Sequence, residues 1–297
     1  MRICFDIGGT TIKYGLAYEE NGNFRLKTKN ETATEAKQSG GAGIEEKILS
    51  LTKEMKAQEE VDGVAISTAG MVDTQTGAIL YANENIPDYT GRNLKKLVET
   101  EMQLPCTVEN DVNCAAFGET VYGAARGAKS VLCVTVGTGI GGAIILDGAI
   151  WHGHSGSAGE IGYMPMNGGT LEELASTTAL IRRVKERCGK SRNGYQIFEE
   201  AKKGDPICIQ AIEEMCEYLG KGLAGGICLF NPEALVLGGG VMEQREYLQP
   251  LMEKSLKKYV KDTVLAQCRL TFAELKNSAG MAGAFAVFEH TEKMGLQ

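Results

Sequence analysis

The chain has 297 residues, with 38 acidic against 31 basic side chains and a formal net charge of −7. That length suits roughly two domains of ordinary size, each with its own core. Scattered Lys and Arg give no electrostatic footprint for DNA or RNA, so nucleic acid is not an expected partner.

In chain order, Ile3 to Leu16 reads as strand, glycine-threonine turn and strand, and Glu20-Asn-Gly-Asn23 supplies a further turn. The spacing predicts a helix over Ala42 to Lys56, then a β-rich run, Val61 to Ile66, ending at Ser67-Thr-Ala-Gly70. Arg92 to Met102 reads as a helix, Cys106-Thr-Val108 as a short strand and Val112 to Tyr122 as another helix. A second strand-turn-strand element follows in Val134 to Gly142, and Ala143 to Ile150 continues as a hairpin around Asp147-Gly148. The remaining expectations are helices around Leu171 to Cys188 and Pro206 to Phe230, a strand at Ala234 to Leu237, a helix near Glu246 to Tyr259 and a closing helix in Ser278 to Glu289. Strands alternating with helices indicate an α/β class. The expected boundaries are an N-terminal domain over 1–120, completed by a closing helix at 282–297, and a C-terminal domain over 121–281.

The run Gly137-Thr-Gly-Ile-Gly-Gly142 matches a Gly-x-Gly-x-x-Gly dinucleotide pattern, but that motif needs a helix after its glycines. An apolar strand follows here instead. A glycine turn between two strands can expose backbone N–H groups as an anion nest, or it can be a tight turn without a ligand. The chain holds this device twice, which raises an internal duplication. Two nests facing one another across a cleft would grip opposite sides of a polyphosphate. Asp6 would repel phosphate unless a divalent cation intervened, so it reads as a magnesium-side residue acting through water, or else as an Asp capping a turn. Asp111, between a strand and a helix, reads as an N-cap that can double as a proton acceptor. A third cluster, Gly238-Gly-Gly240, lets a flat base lie against backbone or serves close packing.

Nine cysteines, an odd number without a Cys-x-x-Cys pair, support neither a disulfide scaffold nor a zinc site. The N-terminus runs into the Asp6 strand without a signal peptide's apolar core, and Val131 to Leu146 is too short and glycine-rich to span a bilayer. A cytoplasmic protein with no membrane partner is the expectation.

Together these segments resemble the ROK family of sugar kinases within the actin-like ATPase superfamily. Asp6-x-Gly-Gly-Thr-x-Ile-Lys13 is similar to the first phosphate segment, Gly137 to Gly142 to the second, and Pro232 to Gly240 to the adenosine segment. Further matches lie in Ser67 to Asp73, Asn85-Ile-Pro87, Asn110-Asp111 and Ala158-Gly-Glu-Ile-Gly162. The resemblance implies two ribonuclease H-like/actin-like domains with an interdomain cleft, ATP and Mg²⁺ as cofactors, and a homodimer. It implies ATP binding by Asp6, Gly8, Gly9, Thr10, Thr11, Lys13, Gly137, Thr138, Gly139, Gly141, Gly239 and Gly240. It makes Asp111 the catalytic base, with Gly70, Asn85, Asn110, Glu160 and Glu172 holding sugar hydroxyls. Closure over the sugar would keep water from the phosphoryl group.

Family members commonly carry His after Glu-Ile-Gly and then a Cys-x-Cys-Gly-x-x-Gly-Cys zinc loop; this chain has Tyr163 and then Met-Pro-Met-Asn-Gly-Gly-Thr-Leu-Glu172. A shorter, metal-free loop leaves room for a substituent at the sugar's C1. The expectation is therefore a β-glucoside kinase acting on O6 of cellobiose-like sugars, with glucokinase or N-acetylmannosamine kinase as alternatives. A sugar-responsive regulator is the alternative of a different class, against which stands the start of the phosphate motif at Asp6, with no helix-turn-helix ahead of it.

Overall fold

The computed structural model describes residues 1–295, which divide into two compact units. The first comprises Met1–Arg126, Gly153–Ser157 and the segment from Asn277 onward; the second comprises Gly127–His152 and Ala158–Lys276.

The first unit opens with strands β1 (Arg2–Ile7), β2 (Thr11–Glu20), β3 (Asn23–Leu26) and β4 (Asn30–Ala33), then helix α1 (Ala36–Gln58). It continues through β5 (Gly63–Thr68), the hairpin of β6 (Met71–Asp73) and β7 (Ala78–Tyr81), α2 (Leu94–Met102), β8 (Cys106–Asn110) and α3 (Asp111–Tyr122). Its main sheet has the order β3-β2-β1-β5-β8, with β4 also paired to β2. β1 is antiparallel to β2 and parallel to β5, which is parallel to β8. Because parallel strands are covered on both faces, β1 is apolar on both. Ile3, Phe5 and Ile7 pack with Ile44, Ile48 and Val98 of α1 and α2, whereas Cys4 joins Ala17 and Ala65 on the opposite face.

The second unit carries β9 (Val131–Val136), β10 (Ile140–Leu146), β11 (Ala149–Ile150), the hairpin of β12 (Pro165–Met166) and β13 (Gly169–Thr170), and helices α4 (Leu171–Ala175), α5 (Thr177–Cys188), α6 (Gly194–Lys202) and α7 (Pro206–Phe230). Then come β14 (Ala234–Gly238), α8 (Arg245–Tyr259), α9 (Asp262–Leu265) and β15 (Arg269–Phe272). The sheet order is β11-β10-β9-β14-β15, again an antiparallel meander followed by two parallel strands. The two units thus repeat one topology. Even their outer turns agree, since Asn21-Gly22 and Asp147-Gly148 each place both central residues at positive φ, as a type I′ hairpin turn requires.

The sequence expectation of one helix over Leu171 to Cys188 is corrected by a break at Ser176, which ends α4 and whose hydroxyl caps α5 by accepting from Ala179 N–H. Helix α6, closed by an Asn193/Gln196 capping box, and strand β15 were not anticipated.

The last helix, α10 (Ala279–Met294), returns to the first unit and lays Met281, Phe285 and Phe288 over Cys4 and Ala65. It starts three residues before the expected 282–297 segment, whose final two positions lie outside the described residues. Helix α10 crosses α3 at glycines: a Cβ on Gly283 would stand 1.7 Å from the Cys114 carbonyl oxygen. Gly283→Ala is therefore expected to destabilise the protein by about 3 kcal/mol, at the upper end of overpacking costs, checked as a lowered urea midpoint at unchanged slope.

Candidate functional site

The parallel register of the first unit sets its functional side chains in a row. Asp6 pairs across to Ser67, and Ser67 to Glu109, so the three strands end together at Ile7, Thr68 and Asn110. Ligands in open α/β sheets bind beyond such carboxyl ends. The Ser67 hydroxyl donates to Asp6 Oδ1 at 2.9 Å, and Lys13 Nζ lies 3.4 Å from Oδ2. Helix α10 begins against the same carboxylate. A Cβ on Gly280 would be 2.3 Å from Asp6 Oδ1, so only glycine lets the helix start there.

Asp111 is not the N-cap that its position suggested. Asn110 caps α3, its Oδ1 accepting from the N–H groups of Val112 and Asn113, and Asp111 is the first helical residue. Asn110 Nδ2 donates to the Gly70 carbonyl at 2.9 Å and to Asp111 Oδ1 at 3.0 Å. Beneath them, buried Glu109 accepts from Asn110 N–H and Asn113 Nδ2 and so orients the cap. The Asp111 carboxyl is pushed up to about 7, first by desolvation and then by the charge of Asp6, although hydrogen bonds from Val112 and Asn110 act the other way.

The first glycine turn shows what it leaves for a ligand. Thr34 ties down its carbonyls, the hydroxyl donating to Gly8 O at 2.7 Å and the backbone N–H to Thr10 O at 2.8 Å. Among the described residues, the N–H groups of Gly9 and Thr10 take no intramolecular acceptor. Asn85 stands beside this turn, its Cβ 3.7 Å from where a Gly9 Cβ would be. The first unit therefore brings Asp6, the turn through Thr11, Lys13, Gly70, Asn85, Asn110 and Asp111 together.

The second unit repeats the arrangement. Thr177 N–H donates to Gly137 O at 2.9 Å and the Thr178 hydroxyl to Thr138 O at 2.7 Å, both from the start of α5. The N–H groups of Thr138 and Gly139 remain without an intramolecular acceptor among the described residues. Glu172 Oε2 accepts from Ile140 N–H at 2.8 Å. Half of a carboxylate expected to hold sugar is thus spent on the turn. Glu160 lies close enough that the charge of Glu172, after desolvation, raises its carboxyl above the ordinary range, although the residue is exposed. A pocket of about 380 Å³ in this unit is lined by Gly137, Thr138, Thr177, Tyr195, Gly240 and Gln244, among others. It joins the second glycine turn to the third cluster, where Gly239 precedes Gly240.

The reading from sequence missed Thr34, Ser67, Glu109, Thr177, Thr178, Tyr195 and Gly280 as parts of these sites. Only the Ser176-Thr-Thr178 cluster carried a local signal, that of a helix start. Where relatives are expected to carry a zinc loop, β12 and β13 form a two-stranded hairpin closed by Leu171 N–H donating to Met164 O, with Tyr163 68% exposed ahead of it. No cluster of three or more His, Cys, Asp or Glu side chains occurs among the described residues. A magnesium ion needs less, since it keeps most of its waters and uses one or two carboxylates plus phosphate oxygens. Asp6, a carboxylate near the end of β1 just ahead of the first glycine turn, fits that demand. No helix among the described residues is long and apolar enough to cross a membrane.

Residues 2–291 match the ROK family. The chain belongs to the ROK family. It is 46% identical over 287 residues to an uncharacterized protein of Clostridium perfringens, with 96% of each chain covered. It is 32% identical over 300 residues to a beta-glucoside kinase of Listeria innocua, with 97% of each covered. Among solved structures it is similar to a ROK family glucokinase from Streptomyces griseus in complex with glucose and AMPPNP, at 32% identity and a TM-score of 0.80, covering 95% of this chain and 97% of that one. The mixed α/β architecture is the actin-like ATPase fold of the ROK structures.

The site electrostatics can be titrated directly. A ¹³C NMR titration is expected to give an Asp111 carboxyl midpoint near 7, lowered in Asp6→Asn because the like charge is gone. Since the folded value lies above the unfolded one, this carboxyl's contribution to stability is complete below the unfolded value and is lost as pH rises through about 7.

Proposed function

We propose that this ROK protein is an ATP-dependent sugar kinase that transfers the γ-phosphoryl group to the 6-hydroxyl of a glucosyl sugar, with β-glucosides such as cellobiose as substrates. The observation that carries the kinase reading is Asp111, a carboxyl raised to about 7 and flanked by Asn110, Gly70 and a second acid. A base poised near the working pH accepts a hydroxyl proton better than an ordinary carboxylate. Asp111 takes that proton as the sugar oxygen commits to phosphorus. Asn85, Asn110, the Gly70 backbone and Glu160 hold the other hydroxyls, joined by the Glu172 oxygen that does not bind Ile140. Amides and carboxylates suit a polyol because each hydroxyl both donates and accepts.

The free N–H groups of Gly9 and Thr10 in the first turn and of Thr138 and Gly139 in the second, together with Lys13, take the ATP phosphates, and Gly239 and Gly240 take the adenosine. Mg²⁺, held through water by Asp6, supplies neutralisation of the phosphate charge. Most of the rate enhancement then comes from positioning and charge stabilisation, as in other phosphoryl transfers.

The β-glucoside assignment rests on the short β12–β13 hairpin in place of a zinc loop and on the exposed Tyr163, a surface suited to a sugar or aryl group at C1. The Listeria innocua relative bears that activity in its name. A homodimer is the expected assembly, readable by sedimentation.

Three measurements test this reading. Asp111→Asn is expected to lower kcat by roughly 10²–10⁴-fold, the usual span for a lost general base, while sugar binding by calorimetry stays near wild type. The kcat/KM profile should show an acid limb as Asp111 becomes protonated, with its midpoint below about 7 because Mg²⁺ offsets the Asp6 charge that helps raise this carboxyl. A coupled ADP-release assay over glucose, N-acetylmannosamine, N-acetylglucosamine, cellobiose, gentiobiose and an aryl β-glucoside sorts the substrate class. Preference for a free hexose would move the assignment to glucokinase or N-acetylmannosamine kinase. No sugar-stimulated ATP consumption at all would leave a regulator.

A further inference from the structure

The second phosphate turn is held from two sides by different chemistry. Its carbonyls, Gly137 O and Thr138 O, are tied by the start of α5. Its exit is tied by a single side chain, Glu172, whose Oε2 lies 2.8 Å from Ile140 N. Glu172 stands on a fixed base. It is the second residue of α4, whose first turn is closed by a Thr170/Glu173 capping box, and neighbouring Leu171 is fully buried. The carboxylate also needs the bare backbone at Gly139, because a Cβ there would lie 2.3 Å from Oε2.

We propose that Glu172 is a positioning residue of the phosphate turn, its Oε2 fixing the Ile140 end so that the N–H groups of Thr138 and Gly139 stay aimed at a nucleotide phosphate. This rests on the kinase reading above and differs from a role confined to the sugar. Ile140 is 4% exposed, so losing Oε2 removes a charged acceptor from a backbone N–H of a nearly buried residue. The turn would recover the lost bond by rotating toward water, which disorders the two free N–H groups beside it. Charge is not what the turn uses. A carboxylate next to an anion site repels phosphate, so the useful property is the acceptor and its place. Glutamine at 172 preserves both and removes the repulsion.

Calorimetric binding of Mg·ATP without any sugar isolates this role. Glu172→Ala and Glu172→Met are expected to weaken ATP binding by about tenfold or more, in line with the loss of a hydrogen bond to a charged acceptor. Glu172→Gln should bind within about threefold of wild type, or tighter. The methionine variant fills the vacated space, so it keeps the test sharp if the alanine variant melts early. Wild-type-like affinity in Glu172→Ala and Glu172→Met would overturn the inference, as would a Glu172→Gln variant as weak as they are. If the wild-type protein binds no Mg·ATP, the kinase reading falls and takes this inference with it. Tight wild-type binding with unaffected variants removes the inference alone.

Discussion

Two carboxylates at the carboxyl ends of parallel strands are the constraint around which the first unit is built. Like charges at close range oppose joint ionisation, so their surroundings have to differ. Asp6 has the Ser67 hydroxyl, Lys13 and the first turn of α10 beside it. For Asp111, desolvation and the Asp6 charge outweigh the hydrogen bonds from Val112 and Asn110, and its carboxyl rises to about 7. The register of β1, β5 and β8, the buried Glu109 under the Asn110 cap and the glycine crossing of α3 and α10 all serve to hold this unequal pair.

The free N–H groups of the two turns follow from a simpler rule, applied twice. A hairpin turn has both carbonyls and N–H groups to satisfy, and whichever set finds protein partners leaves the other for a ligand. Thr34 takes the carbonyls of Gly8 and Thr10, while Thr177 and Thr178 take those of Gly137 and Thr138. Thr34 supplies both a hydroxyl and a backbone donor, whereas the second turn takes its backbone donor from Thr177 and its hydroxyl from Thr178. The equal sheet topologies of the two units place these turns at matching positions, between the first two strands of each meander.

Much of this was legible where the signal was local. Asn21-Gly22 and Asp147-Gly148 announced their turns because few dipeptides tolerate two consecutive positive φ values. The strand after Gly142 excluded a dinucleotide motif for an equally local reason. The break at Ser176 was overlooked because apolar spacing runs almost unbroken from Leu171 to Cys188, and periodicity outweighed a hydroxyl cap. Asp and Asn compete for a cap position, and only the backbone geometry decides that Asn110 rather than Asp111 takes it. Gly280 gave no sign at all, since nothing near it in the chain shows that Asp6 will arrive there.

The sequence alone determined the two glycine turns, the alternation of strands and helices, the ROK likeness and the loss of the zinc loop, because each depends on residue types within a short window. Tertiary structure alone decided which groups hold the turns, that Glu172 reaches Ile140, and that the Asp111 carboxyl is raised above the ordinary carboxylate range. Those outcomes depend on desolvation and on contacts between residues as far apart as Asp6 and Ser67, separated by 61 positions. Electrostatic energy in a folded chain is a sum over space, and sequence distance does not enter it.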